Sequence, residues 1–99
     1  MKNVLLIGNG AREHAIAEAI VKSARLFTYM KANNPGIASL SEKAVVGGYN
    51  DLKAIVAFAK ENGIDFTVVG PEDPLHGGVV DVLMQSGIPA VGPTQSLAR

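Results

Sequence analysis

The stretch VLLIGNGAREHAIAEAI, residues 4–20, joins an apolar run to a glycine turn and then to a helix-like pattern. Residues 4–7 are all apolar, which is typical of a strand buried on both faces of a parallel sheet. Gly8 permits a tight turn, and Gly10 would let a ligand approach the backbone closely. The helix predicted from about residue 11 to 22 would add free N–H groups and a positive dipole end. This order predicts a site for an anionic or polar small molecule at Gly8, Asn9 and Gly10.

The first turn of this predicted helix carries three consecutive ionisable residues, Arg12, Glu13 and His14. Successive helical positions lie about 100° apart, so the three side chains cannot all face one ligand. An apolar stripe at positions 15, 16, 19 and 20 should face the core, and Arg12 and Glu13 should face water with positions 18 and 22. Glu13 would complement the helix dipole. His14 would act as a hydrogen-bonded anchor more readily than as a ligand contact.

The remaining sequence alternates between strand and helix patterns, with further strands predicted at residues 26–30, 44–46, 66–69 and 89–91. Residues 33–36 read as a turn. One helix should begin at an Asn50 N-cap and end before Gly63. Another, over residues 75–86, should point positions 79, 80, 83 and 84 inward. The alternation predicts an α/β fold, a Rossmann-like open parallel sheet of about four to five strands with helices on both faces.

The composition excludes several classes of protein. Nine basic and nine acidic residues balance, which argues against a nucleic-acid partner. No cysteine is present, and two isolated histidines make no metal-ligand pattern, so no metal site is predicted. No apolar run approaches the roughly 20 residues that cross a membrane, and no signal-peptide pattern opens the chain. A cytoplasmic location and no membrane partner are therefore expected.

The glycine turn only partly matches a dinucleotide-binding fingerprint. Glu13 stands where G-x-G-x-x-G has its third glycine. Lys31 follows the second strand, where an acidic residue would bind the ribose. Three interpretations stay open from these residues: a phosphorylated or polar ligand, a dinucleotide, or a tight turn without a ligand.

A second loop follows a later strand in the stretch VVGPEDPLHGGVVD, residues 68–81. Gly70 and Pro71 end that strand, and Glu72 lies between Pro71 and Pro74 on a stiff loop. The carboxyl ends of parallel strands share one edge, so this loop should face the first turn. A carboxylate held there could accept hydrogen bonds from a sugar hydroxyl or an amine. A solvated acidic turn is the alternative.

The two motifs together resemble the N-terminal domain of the phosphoribosylamine–glycine ligases. That family opens with G-x-G-G-R-E-H and continues with G-P-E-x-P-L, which read here as residues 8–14 and 70–75. Ala11 replaces the second glycine of the family's pair, and the loop ANNPGIAS departs from the family's usual form. The resemblance covers essentially the whole chain and implies a pre-ATP-grasp domain over residues 1–99.

The resemblance implies an ATP-dependent ligation of 5-phosphoribosylamine to glycine in purine biosynthesis, through a glycyl phosphate. ATP and Mg²⁺ or Mn²⁺ would bind in later domains of the same polypeptide, and none would bind to this segment, which would be inactive alone. The implied substrate-binding residues are Gly8, Asn9, Gly10, Arg12, Glu13, His14, Gly70, Pro71, Glu72 and Pro74, with no catalytic residue in this segment. The alternatives are the dinucleotide-binding domain of an oxidoreductase and a non-catalytic flavodoxin-like module.

Overall fold

A computed structural model describes residues 2–70 and 76–91. Strands and helices alternate along the whole described chain. The strands are β1 (Asn3–Ile7), β2 (Arg25–Met30), β3 (Lys43–Val46), β4 (Phe66–Val69) and β5 (Ala90–Val91). The helices are α1 (Ala11–Ile20), α2 (Pro35–Leu40), α3 (Leu52–Glu61) and α4 (His76–Gln85).

The five strands form one parallel sheet in the order β3-β2-β1-β4-β5. The central strand β1 pairs with β2 on one side and with β4 on the other, so that Ile7 lies beside both Tyr29 and Val69. The chain runs outward from β1 through β2 to β3 and then returns to the other side of β1. This reversal confirms the predicted Rossmann-like sheet.

Helices cover both faces of the sheet, as predicted, because β1 is apolar at consecutive positions. Leu5 and Ile7 point into a core formed with α3 and α4, whereas Leu6 points into a second core with α1 and α2. All three side chains are almost completely buried. A strand buried on both faces therefore explains the uninterrupted apolar run.

Two local predictions differ from the structure at helix starts. Residues 33–36 do not form a simple turn, because Asn34 caps α2 by accepting hydrogen bonds from the N–H groups of Gly36 and Ile37. Asp51, and not Asn50, caps α3, with its Oδ1 3.2 Å from the Ala54 nitrogen. Both are good capping residues, so the residue type alone does not decide between them.

The predicted faces of two helices need correction. Glu13 and Ala17 are the buried residues of α1, and the predicted stripe positions Ala15 and Ala19 are exposed. Met84 is 59% exposed and does not point inward, although Val79 and Leu83 do. In α1 the face against the sheet is rotated from the one that hydropathy favours, whereas in α4 only Met84 departs from the predicted face. For α1 the cause is Glu13, a polar residue that apolar periodicity assigns to the surface.

Candidate functional site

A cleft of about 180 Å³ lies at the carboxyl edge of the sheet, above the ends of β1 and β4. These strands are where the chain reverses direction across the sheet, the place at which open α/β folds bind their ligands. The residues that line the cleft come from the ends of β1 and β4, from the segments that follow the first four strands, and from α1 and α4: Ile7, Gly8, Asn9, Gly10, Glu13, Lys31, Tyr49, Val69, Gly70 and Val79. The structure therefore brings the glycine turn and the end of β4 together, as the sequence predicted.

Glu13 is fully buried beneath this cleft, with none of its surface exposed. Its Oε1 accepts a hydrogen bond of 2.8 Å from the Gly10 N–H, three residues earlier. Gly10 is the N-cap of α1 and supplies no side-chain cap of its own. The expectation that Glu13 faces water is therefore wrong, because its carboxyl group folds back over the turn and joins it to the helix.

Two glycines leave the space that the Glu13 side chain fills. A Cβ on Gly8 would lie 2.4 Å from Glu13 Cγ, and a Cβ on Gly70 would lie 2.8 Å from Glu13 Cδ and Oε2. Gly8 also has a φ of 148°, a conformation that other residues rarely adopt. The first glycine of one motif and the first glycine of the other thus close around a single side chain.

Asn9 is held from two sides by residues that lie far away in the sequence. Its backbone carbonyl accepts a hydrogen bond of 2.9 Å from Asn34 Nδ2. Its side-chain Oδ1 lies 3.2 Å from the Tyr49 hydroxyl oxygen, which donates to it. The same hydroxyl accepts from the backbone N–H of Lys31 at 3.1 Å. The Tyr49 hydroxyl therefore connects the ends of β1 and β2 to the loop after β3.

A second tyrosine supports this corner from below. Tyr29 donates a hydrogen bond to the Gly48 carbonyl at 3.0 Å, and its ring centroid is 6.3 Å from that of Tyr49. Burial raises the pKa of the Tyr29 hydroxyl, and the nearby Asp51 carboxylate raises it further. The hydroxyl thus stays protonated and keeps donating to the loop that carries Tyr49.

The other predicted site residues have different positions. Arg12 is exposed and does not line the cleft. His14 packs against α2, since a Cβ on Gly36 would lie 2.6 Å from His14 Cε1. This contact anchors one helix against the next by packing. Pro71, Glu72 and Pro74 lie outside the described residues.

Sequence reasoning missed the binding-site positions of Lys31, Asn34 and Tyr49. Lys31 was considered only as a departure from the dinucleotide pattern, and Asn34 only as a turn residue. Their positions after β2 carried a signal, because the carboxyl ends of parallel strands meet at one edge. Tyr49 lies in a loop after a short edge strand, and nothing in its neighbourhood indicates that its hydroxyl crosses to Asn9.

Two absences can be stated for the part of the chain that the structure describes. No group of three or more His, Cys, Asp and Glu side chains is placed to hold a metal ion there. None of its helices has the length and apolar character needed to cross a bilayer.

Solved structures with the same fold come from proteins of different kinds. N5-carboxyaminoimidazole ribonucleotide synthetase from Thermotoga maritima matches with a TM-score of 0.74 at 17% identity, over 91% of this chain and 24% of that one. CobK precorrin-6A reductase matches with a TM-score of 0.71 at 13% identity, over 93% of this chain and 38% of that one. At these identities the similarity establishes the Rossmann-like fold alone.

Sequence comparisons identify the family of the chain, which the structural matches do not. The model of the family described as "Phosphoribosylglycinamide synthetase, N domain" matches residues 2–99. The phosphoribosylamine–glycine ligase of Methanocaldococcus jannaschii is 50% identical over 98 residues, which cover 97% of this chain and 22% of that protein. The ligase of Methanosphaera stadtmanae is 46% identical over 96 residues, again 97% of this chain and 22% of the relative. The chain thus spans less than a quarter of the length of these relatives, and it belongs to the family of phosphoribosylglycinamide synthetase N domains.

Proposed function

We propose that the chain is the N-terminal domain of a longer phosphoribosylamine–glycine ligase and that its cleft holds part of 5-phosphoribosylamine. One observation carries this assignment: Gly8 and Gly10 of the first motif line one cleft with Gly70, the first residue of the second motif, at the carboxyl edge of β1 and β4. The whole enzyme would act in purine biosynthesis in the cytoplasm. The remaining domains of the same polypeptide would close the cleft from the other side.

The groups around the cleft suit a phosphorylated sugar amine. Lys31 supplies a cationic side chain at one end, where it can attract the substrate phosphate. Asn9 and Tyr49 supply polar side-chain atoms for sugar hydroxyls. Glu72, between its two prolines, is proposed to face the ribose or its amine. Arg12 and His14 belong to the motif and are proposed to support domain contacts.

The proposed reaction needs groups from beyond this segment. ATP would phosphorylate the glycine carboxylate, and the amine of phosphoribosylamine would then attack the carbonyl carbon and displace phosphate. Binding the amine beside the acyl phosphate supplies proximity and keeps water away from the activated glycine. ATP and Mg²⁺ or Mn²⁺ are assigned to the later domains. The residues of this chain orient the sugar.

A ligation assay with the protein expressed from its complete reading frame tests this function. Glycine, phosphoribosylamine and ATP should yield glycinamide ribonucleotide with one ADP and one phosphate. Lys31→Ala should raise the KM for phosphoribosylamine about tenfold or more, since a hydrogen bond to a charged group contributes about 1.5–3 kcal/mol. The KM for glycine should change little.

Lys53→Ala is the matched control, because Lys53 is an exposed lysine of α3 outside the cleft. It should leave both KM values unchanged. Failure to form glycinamide ribonucleotide would contradict the assigned function. Equal KM values in the Lys31 and Lys53 variants would instead contradict the role of Lys31 alone.

A further inference from the structure

We propose that the Glu13 side chain occupies the position at which a Rossmann-type glycine turn binds a pyrophosphate, so that it sets the specificity of the cleft against dinucleotides. The sequence places Glu13 at the third glycine of G-x-G-x-x-G. In a dinucleotide site that glycine allows close packing of helix against strand, and the second glycine lets the pyrophosphate approach the backbone. Here a side chain with two oxygen atoms stands in this space.

The hydrogen bonding of Gly10 supports this assignment. Gly10 is the second glycine of the turn, and its N–H points to Glu13 Oε1 at 2.8 Å. A phosphate oxygen at the start of a helix would accept from such a backbone donor. The Glu13 oxygen accepts in its place, and this donor is therefore already used within the protein.

The packing around Glu13 supports the same assignment independently of this hydrogen bond. Its Cγ and Cδ lie so close to Gly8 and Gly70 that neither glycine could carry a Cβ. The side chain is fully buried between the ends of β1 and β4. This is the crevice across which open α/β folds place a dinucleotide. The volume that Glu13 fills and the hydrogen bond that it accepts from Gly10 thus both exclude a pyrophosphate from this position.

Removing the side chain should open the position. The variants are Glu13→Gly, which restores G-x-G-x-x-G, and Glu13→Ala, which keeps a good helix former. Lys31 lines the same cleft from the end of β2, where a basic residue suits a ribose 2′-phosphate, so NADP⁺ is the probe. Calorimetry on the protein from its complete reading frame should show NADP⁺ binding at least about tenfold tighter than in the native protein, a change of about 1.4 kcal/mol.

Glu13→Gln is the matched control because glutamine keeps the volume and can accept from Gly10 through its amide oxygen. Its affinity for NADP⁺ should stay within about twofold of the native value, a change of about 0.4 kcal/mol. Any affinity of later domains for NADP⁺ is common to all variants and cancels in the comparison. A gain of binding also cannot arise from a loss of folding.

Three results would overturn the assignment. The first is that the native protein binds NADP⁺ as tightly as the variants do. The second is a folded Glu13→Ala variant whose affinity for NADP⁺ does not increase. The third is a Glu13→Gln variant whose affinity increases as much as that of Glu13→Gly. If neither small variant folds, the amide resonance of Gly10 in the native protein decides. Inorganic pyrophosphate should leave it unchanged, and a saturable shift would contradict the assignment. NADP⁺ takes no part in the ligation, so failure of the ligase assay leaves this result standing.

Discussion

At the scale of single residues, the site depends on a large polar side chain packed between glycines. Glu13 takes a buried position that hydropathy would give to an apolar residue. Its size is tolerated because Gly8 and Gly70 have no side chains, and its Oε1 has a donor in Gly10. A buried polar group is stable only with such a partner. The two glycines are therefore part of the fit of Glu13 as well as of the turns.

Gly70→Ala should destabilise the protein by about 1–3 kcal/mol, the usual range for overpacking a tight site. The added Cβ would lie 2.8 Å from Glu13 Cδ and Oε2, so the buried Glu13 side chain would have to move from its place beside Gly10. Gly78→Ala in α4 is the matched control, because its Cβ would meet nothing within 4 Å. That change should stabilise the helix by about 0.5–1 kcal/mol. Urea unfolding measures both, and equal effects would contradict the packing described.

Tyr29 should make stability fall at alkaline pH. Its folded pKa is raised by burial and by Asp51, so the folded state holds the phenol proton more tightly than the unfolded state does. Its contribution is fully present below the unfolded pKa of about 10 and is lost as pH rises toward the folded pKa. Unfolding free energies measured against pH should fall less steeply in Tyr29→Phe above about pH 10. If the unfolding free energies of the native protein and of Tyr29→Phe fall in parallel with pH, the raised pKa of Tyr29 is contradicted.

At the scale of helices and strands, local patterns identified all five described strands and three of the four described helices, but not α2 and not each boundary or face. The predicted strand at residues 66–69 matches β4 in full, and the helix predicted between Asn50 and Gly63 corresponds to α3. These signals act between neighbours in the chain, so they can be read without the fold. The choice of cap and the rotation of α1 depend on contacts with other elements, which a local pattern does not contain.

The two candidate caps of α3 can be separated by substitution. Asp51→Ala should cost about 1 kcal/mol of stability, the usual value for a lost N-cap. It removes the acceptor for the Ala54 N–H. Asn50→Ala should change stability by less than about 0.5 kcal/mol, as is usual for an exposed residue without such a role. Thermal unfolding of the two variants measures the difference, and a larger cost at Asn50 would restore the prediction made from sequence.

At the scale of the whole molecule, the strand order creates the site. Because β4 returns to the side of β1 opposite β2, the helices α1 and α4 that follow these strands pack on opposite faces of the sheet, and the cleft lies above the ends of the two strands. The same order places β1 at the centre, paired along both edges. The glycine turn therefore begins from the most enclosed strand of the sheet. This position gives a ligand-binding turn a rigid support.

The rate of amide hydrogen exchange should depend on where each strand lies in the sheet, and it should be slowest in the central strand. Amide protons of Leu5 to Ile7 in β1 should exchange most slowly, because they open only when the core on both faces opens. Amides of β3, an edge strand with mostly exposed side chains, should exchange much faster. Mass spectrometry of peptides from the exchanged protein measures the ranking. Equal protection in β1 and β3 would contradict the sheet order.

The sequence by itself determined the fold class, the five described strands, three of the four described helices and the glycine turn after β1. Each of these follows from apolar runs, helical periods and turn residues, which act over a few neighbouring positions. Only the tertiary structure decided that Glu13 lies inside and that Lys31, Asn34 and Tyr49 join the site. Those outcomes depend on space left by Gly70 and on donors from distant loops. Such groups become neighbours only when the sheet has assembled, so no local pattern contains them.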